Sequence, residues 1–203
     1  MMDQTHWLAL MEDLGFEPNL ETCDALLNEH ASRHRHYHTQ EHISACLRHL
    51  DTVREKTIHP NEIALAFWFH DAVYKAFTAT NERDSADWAI GFLEENEADQ
   101  DMIDRVEALI MATVHNPGPL SGDMAIMVDI DLAILGASQQ VYDQYEINIR
   151  KEYRRVPGFI FRKKRKALLR SFLDQDRLYH TDHFHKLWDG PARDNLTRAI
   201  AAL

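Results

Sequence analysis

A histidine and an aspartate stand side by side in an apolar run, Ile63-Ala-Leu-Ala-Phe-Trp-Phe-His70-Asp71-Ala-Val-Tyr74. On a helix the neighbours of His70 are Ile63, Ala66, Phe67, Val73 and Tyr74; those of Asp71 are Ala64, Phe67, Trp68 and Tyr74. Both polar groups then face mostly hydrocarbon, where a carboxylate without a partner costs several kcal/mol. A divalent cation is the partner that uses both groups best. Two more places set a metal-ligating side chain where a core residue belongs. His42 lies in Tyr37-His38-Thr39-Gln40-Glu41-His42-Ile43, and Asp131 in Asp129-Ile130-Asp131-Leu132-Ala133-Ile134-Leu135-Gly136. Asp131 shares its face with Met127, Val128, Ile134 and Leu135 and is expected to point inward, whereas Asp129 has a more mixed neighbourhood and ranks second. Two neutral imidazoles and two carboxylates form a mixed N/O donor set, which suits Mn, Fe, Ni, Co or Mg better than a tetrahedral structural Zn. Open positions on such an ion take water and substrate, and a water of lowered pKa is a hydrolytic nucleophile. Taken singly, each residue has a plainer reading: a surface or core histidine, a capping or ion-paired aspartate. The adjacent pair is harder to explain away, because two buried polar groups require partners.

The elements that must position these residues read as helical nearly throughout. Helices are predicted at about 3–14 (ending at Gly15), 20–33, 40–55 (capped by Thr39), 60–74 (Pro60 in its first turn), 82–96 (capped by Asn81) and 100–115. Asn116-Pro117-Gly118-Pro119 is the clearest break. Further helices are predicted at 123–135 (ending at Gly136), 138–153, 159–174 and 191–202. No strand-like alternation persists. The expectation is one all-α domain over 1–203, with a metal-site core at about 37–136 and C-terminal helices at about 138–203.

Composition narrows the function classes. With 33 acidic and 22 basic residues the formal charge is -11, which disfavours extended nucleic-acid binding. Small phosphorylated substrates are compatible with that charge, because a metal can supply positive charge locally. A hydrophobic share of 45% suffices for one core, while 7 Gly and 6 Pro argue against a loop-rich or all-β chain. Cys23 and Cys46 stand in no metal-type spacing and read as reduced core thiols. The N-terminus carries acids and no long apolar core, and no stretch approaches the roughly 18–20 apolar residues that span a bilayer, so a cytoplasmic protein without a membrane partner is expected. The polar-faced helix at 138–153 leaves a homo-oligomer open.

The order His42, His70-Asp71, Asp131 on successive helices resembles the HD superfamily of metal-dependent phosphohydrolases. The likeness narrows to its branch of predicted metal-dependent HD phosphohydrolases through Tyr37-His38-Thr39-x-x-His42, Phe69-His70-Asp71-x-Val73-Tyr74, Asn81-Glu82-x-x-Ser85-Ala86, Asp129-x-Asp131-Leu132-x-Ile134-Leu135-Gly136 and Ala192-Arg193-x-Asn195-Leu196. The resemblance implies an HD-type helical bundle, a metal held by His42, His70, Asp71 and Asp131, and hydrolysis of a phosphoester or phosphoanhydride by metal-activated water. Asp71 would both bind the metal and orient the water. Some HD phosphatases place a glutamate very soon after the His-Asp pair; here Ala72-Val73-Tyr74-Lys75 follows, and the nearest candidate is Glu82. Glu82 or Lys75 would assist leaving-group protonation or phosphate binding. A non-catalytic HD-type module that binds a nucleotide or metal is the alternative.

Supporting positions follow from sequence proximity. His38, four residues before His42, is a candidate for a second metal or for substrate, and His115 for a further ligand, although a helix C-terminus also simply favours a histidine. Arg35 and Lys75 are candidates for phosphate oxygens or for plain solvation. Arg162-Lys-Lys-Arg-Lys166 reads as one solvated helix face, and His180, His183 and His185 as a surface loop.

Overall fold

The helical periodicity is realised almost everywhere. The computed structural model describes residues 2–76, 78–114 and 118–203. Ten α-helices succeed one another among them: α1 (Gln4–Leu14), α2 (Leu20–His30), α3 (Gln40–Val53), α4 (Pro60–Phe69), α5 (Asn81–Glu95), α6 (Gln100–Ala112), α7 (Gly122–Asp131), α8 (Gln139–Glu152), α9 (Gly158–Leu173) and α10 (Asp182–Ala202). Short 3-10 segments cover Arg54–Lys56 and Leu132–Gly136, and no strand occurs among the described residues. The chain is an all-α single-domain bundle.

Helix α4 is apolar on every side, and each residue from Glu62 to Phe69 is buried. Such a helix has no face to offer to water and becomes an axis for its neighbours. α1, α3, α5, α6 and α7 all pack on it. Trp7, Trp68, Phe69 and Phe92 meet around it, Trp7 edge-on to Trp68 at 5.0 Å. Each such side chain contributes about 1.5–3 kcal/mol by leaving water. Glu62, the one acid in the run, is met by a forked pair of bonds from Arg105 at 2.7 Å each.

Several boundaries differ from those predicted. α4 ends at Phe69 rather than near 74, because Arg35 takes over the carbonyls that a continuing helix would have bonded. Its guanidinium donates to the Asp71 carbonyl at 2.6 Å and the Ala72 carbonyl at 2.8 Å. Helix α2 stops at His30 rather than near 33, and α6 at Ala112, so the expectation for His115 lies outside the described residues. α10 begins at Asp182 rather than 191, with Thr181 as its cap. Proline at a first helical position is the common case, but Pro191 lies inside this helix, whose start is fixed instead by Asp129. His183 and His185 are therefore helical, not loop, residues.

Two glycines have distinct reasons. Gly15 closes α1 at φ 74°, in the left-handed region, as predicted. Gly136 is needed for close approach: a Cβ there would meet Trp188 Cβ at 2.5 Å. That contact seats α10 on the 132–137 segment, where the Asn195 amide also donates to the carbonyls of Leu135 at 2.9 Å and Ala137 at 2.8 Å. Helix α10 thus braces the turn immediately after Asp131. Among the described residues no single helix is long and apolar enough to cross a membrane; Gly122–Gly136 with Gln139–Glu152 passes only as a pair bent by 101°.

Candidate metal centre

Three elements bring three of the four predicted ligands, His42, His70 and Asp131, into one group, with Asp71 beside it. His42 comes from the first turn of α3, whose start is capped by Thr39 accepting from the Glu41 N–H at 3.3 Å. His70 caps the C-terminal end of α4, and Asp131 is the last residue of α7. His42 Nε2 and His70 Nε2 stand 3.3 Å apart. Asp131 Oδ1 lies 3.1 Å from the first and 3.4 Å from the second. These three residues place their ligand atoms within 4.8 Å of one another, and the group can hold a metal ion. Asp71 Oδ2 lies 3.2 Å from His70 Nε2 and 3.6 Å from His42 Nε2.

The distances carry chemical meaning. Two donors bonded to one ion at about 2.1 Å stand roughly 3.0–3.5 Å from each other. The histidine–histidine and histidine–carboxylate separations fall in or next to that interval. His70 Nδ1 is 3.0 Å from the Phe67 carbonyl, which can only accept, so Nδ1 carries the proton and a neutral ring leaves Nε2 bare. A bare imidazole nitrogen, a second imidazole nitrogen and carboxylate oxygens then converge on one point. A cation, or a proton carried on His42 Nε2, joins them. The titration directions say the same. Burial disfavours the charged His70 ring, yet Asp71 and Asp131 outweigh it and hold its pKa well above the usual histidine range. Burial likewise works against the Asp71 carboxylate, but His70, His38 and His42 hold it far below the ordinary range. The site attracts positive charge.

His42 and Asp131 also line a cavity of about 710 Å³, together with Tyr37, Gln144 and Tyr145, so the cluster has room beside it for a small molecule. Cys46 Sγ lies 3.8 Å from His42 Nδ1, and burial pushes its thiol pKa well up, which keeps it a neutral neighbour.

The aspartate ranked second has another task. Asp129 is fully buried and takes the N–H of His180 at 2.6 Å, the N–H of Thr181 at 2.8 Å and the Thr181 hydroxyl at 2.7 Å. It ties α7 to the start of α10. Among the remaining candidates, Arg35 is buried, and its guanidinium is engaged by the 71–72 carbonyls and lies over the Tyr74 ring at 5.5 Å. It shapes the backbone after His70-Asp71 rather than facing a phosphate. Lys75 is exposed, with its backbone N–H and carbonyl both bonded to the Asn81 side chain at 3.0 Å. Asn81 therefore closes the loop before α5, while Thr80 holds the cap position. Glu82 sits half-buried in the first turn of α5, and no hydrogen bond or ion pair joins it to the cluster among the described residues. Within the basic run, Arg165 departs from the expected solvated face: it is buried and bonds Glu146 at 2.7 Å and 3.1 Å.

His38 does reach the site, through a partner that the sequence reading missed. Its Nδ1 lies 2.8 Å from Glu152 Oε2, and its ring stacks on Tyr74 at 4.2 Å. Glu152 accepts the backbone N–H groups of His36, Tyr37 and His38 at 2.7, 2.7 and 3.1 Å through Oε1, and the Tyr74 hydroxyl at 2.9 Å through Oε2. Burial disfavours that carboxylate, but the His38 ring and the Tyr37 and His36 amides more than compensate and hold its pKa at about 2. A signal for it existed. Tyr142, Tyr145, Ile149 and Glu152 recur at helical spacing, which puts a carboxylate on the inward stripe of α8.

Comparison with family models, curated proteins and solved structures finds no match to this chain.

Proposed function

We propose that the chain is an HD-type, metal-dependent phosphohydrolase acting on a small phosphorylated metabolite or nucleotide. The observation that carries the reading is the convergence of His42 Nε2, His70 Nε2 and Asp131 Oδ1 at 3.1–3.4 Å, with Asp71 Oδ2 alongside. His42, His70 and Asp131 hold the ion and Asp71 completes the set; the donors suit Mn, Fe, Ni, Co or Mg. When bound, such an ion supplies an activated water and offsets charge on phosphoryl oxygens. His38 is fixed by Glu152 through Nδ1; burial disfavours its charged form, but Asp71 and Glu152 raise its pKa above the ordinary histidine value, and in the protonated ring Nε2–H serves to donate a hydrogen bond to a phosphoryl or leaving-group oxygen. Tyr74 keeps that ring in one plane. The order of His and Asp residues resembling the HD superfamily, set on α3, α4 and α7, supports the same reading.

The test is a phosphatase screen over nucleotides, sugar phosphates and a generic phosphoester, with Mn, Ni, Co and Mg added in turn, alongside elemental analysis. Turnover with at least one ion is expected, and Asp71→Ala is expected to remove metal and turnover together while the helical circular dichroism persists. An Asp71→Ala protein with full metal content refutes the ligand set. Metal without turnover on any substrate supports the non-catalytic module instead.

A further inference from the structure

Tyr74 lines a second cavity, of about 670 Å³, to whose wall His42, His70, Asp71 and Asp131 do not contribute. Lys75, Lys151, Arg154 and Arg155 line it, against the two carboxylates Glu29 and Glu152. Both oxygens of Glu152 are already engaged by the 36–38 turn and by Tyr74. Glu29 lies 3.9 Å from Arg35, which is not part of the cavity wall.

Unlike Arg162, Lys163 and Lys164, which lie exposed along α9, these cations line a cavity. In a chain of charge -11, carboxylates are abundant, and several arginines elsewhere have found them: Arg83 with Asp87 and Glu107, Arg105 with Glu62, Arg193 with Asp189, Arg198 with Asp143. Among the described residues no carboxylate forms an ion pair with Lys75, Lys151, Arg154 or Arg155. A helix C-terminus favours cations and accounts for Lys151 at the end of α8. It does not account for Arg154 and Arg155 beyond that end, nor for Lys75, which arrives from the connection before α5. Cations from two distant stretches of chain converge on one concave wall, where their mutual repulsion is relieved by an anion. Trp88 and Tyr74 add an aromatic side to the same cavity.

We infer that this cavity is a second anion site, separate from the His42/His70/Asp131 cluster, that takes a multiply charged phosphate group. Guanidinium groups are suited to that ligand because they pair with phosphate oxygens in a two-pronged geometry. The phosphate belongs either to a substrate with a second phosphate or to a separate small ligand.

Calorimetric titration of EDTA-treated protein with inorganic tripolyphosphate decides the matter without any metal chemistry. Binding that weakens with added salt is expected, and Arg154→Gln with Arg155→Gln is expected to lower the affinity by about tenfold or more. Both arginines are exposed, so the variant keeps its fold, which circular dichroism verifies. Absence of binding by the unaltered protein, or equal binding by the variant, overturns the inference. A KM increase for ADP but not AMP in the variant assigns the site to the substrate's second phosphate; lost tripolyphosphate binding with both KM values unchanged assigns it to a separate ligand. Failure of the phosphatase screen leaves this binding result untouched, so the two readings fail separately.

Discussion

Asp129 and Asp131 lie two residues apart at the end of one helix, yet they meet opposite surroundings. Every neighbour of the Asp129 carboxylate is a donor: two backbone N–H groups and a hydroxyl, all within 2.8 Å. Asp131 faces His42 and His70, whose nitrogens at 3.1 and 3.4 Å meet it with a lone pair unless a proton or a cation intervenes. A buried carboxylate whose neighbours are all donors is complete as it stands and fastens the fold. One set beside two imidazole nitrogens and a second carboxylate is placed to share a cation. The same distinction separates Glu152, which has five donors, from Asp71 beside the histidines.

The comparison breaks if the two aspartates respond alike to substitution. The largest effect is expected from Asp131→Ala: turnover falls by about 10³-fold or more and bound metal is lost. In EDTA-treated protein the same change lowers the urea unfolding free energy less than Asp129→Ala does, because it is Asp129 that ties α7 to the start of α10. Asp129→Ala is expected to show the reverse, losing about 3–5 kcal/mol of stability with normal metal content in whatever remains folded. Metal loss in the second variant, or collapse of stability in the first, would dissolve the contrast.

A smaller effect sharpens it. Glu152 has its pKa depressed to about 2 in the folded chain from an ordinary 4.5. Its stabilisation is therefore fully present above about pH 5 and drains away as pH falls toward 2, amounting to about 3 kcal/mol. Urea melts of the metal-free protein across pH 6 to 2, compared with Glu152→Gln, read this directly. The variant is expected to be less stable at pH 6 and to have a flatter dependence below pH 5; parallel curves would show that the carboxylate is not held by those donors.

Much of this was legible in the chain itself. The all-α class followed from periodicity, and the inward face shared by Asp131, Met127 and Ile134 pointed to the right aspartate of the two. His42 and His70 were visible as polar residues at core positions. What was not legible came from contacts between distant segments. Arg35 ends α4 by taking carbonyls 36 and 37 residues away, and Asp129 starts α10 from 51 residues away. Neither leaves a local mark, so the fourth helix read too long and the last too short. Glu152 was overlooked because a glutamate on a polar helix reads as solvated, and only the spacing of Tyr142, Tyr145 and Ile149 betrays its inward turn.

The most direct measurement is anomalous diffraction from crystals grown with Mn or Co, because it locates the ion without reference to activity. One ion is predicted, bonded at about 2.0–2.3 Å to His42 Nε2, His70 Nε2 and an Asp131 oxygen, with Asp71 as its fourth protein ligand. An anomalous peak elsewhere, or none at that point with the four side chains undisturbed, would contradict the account.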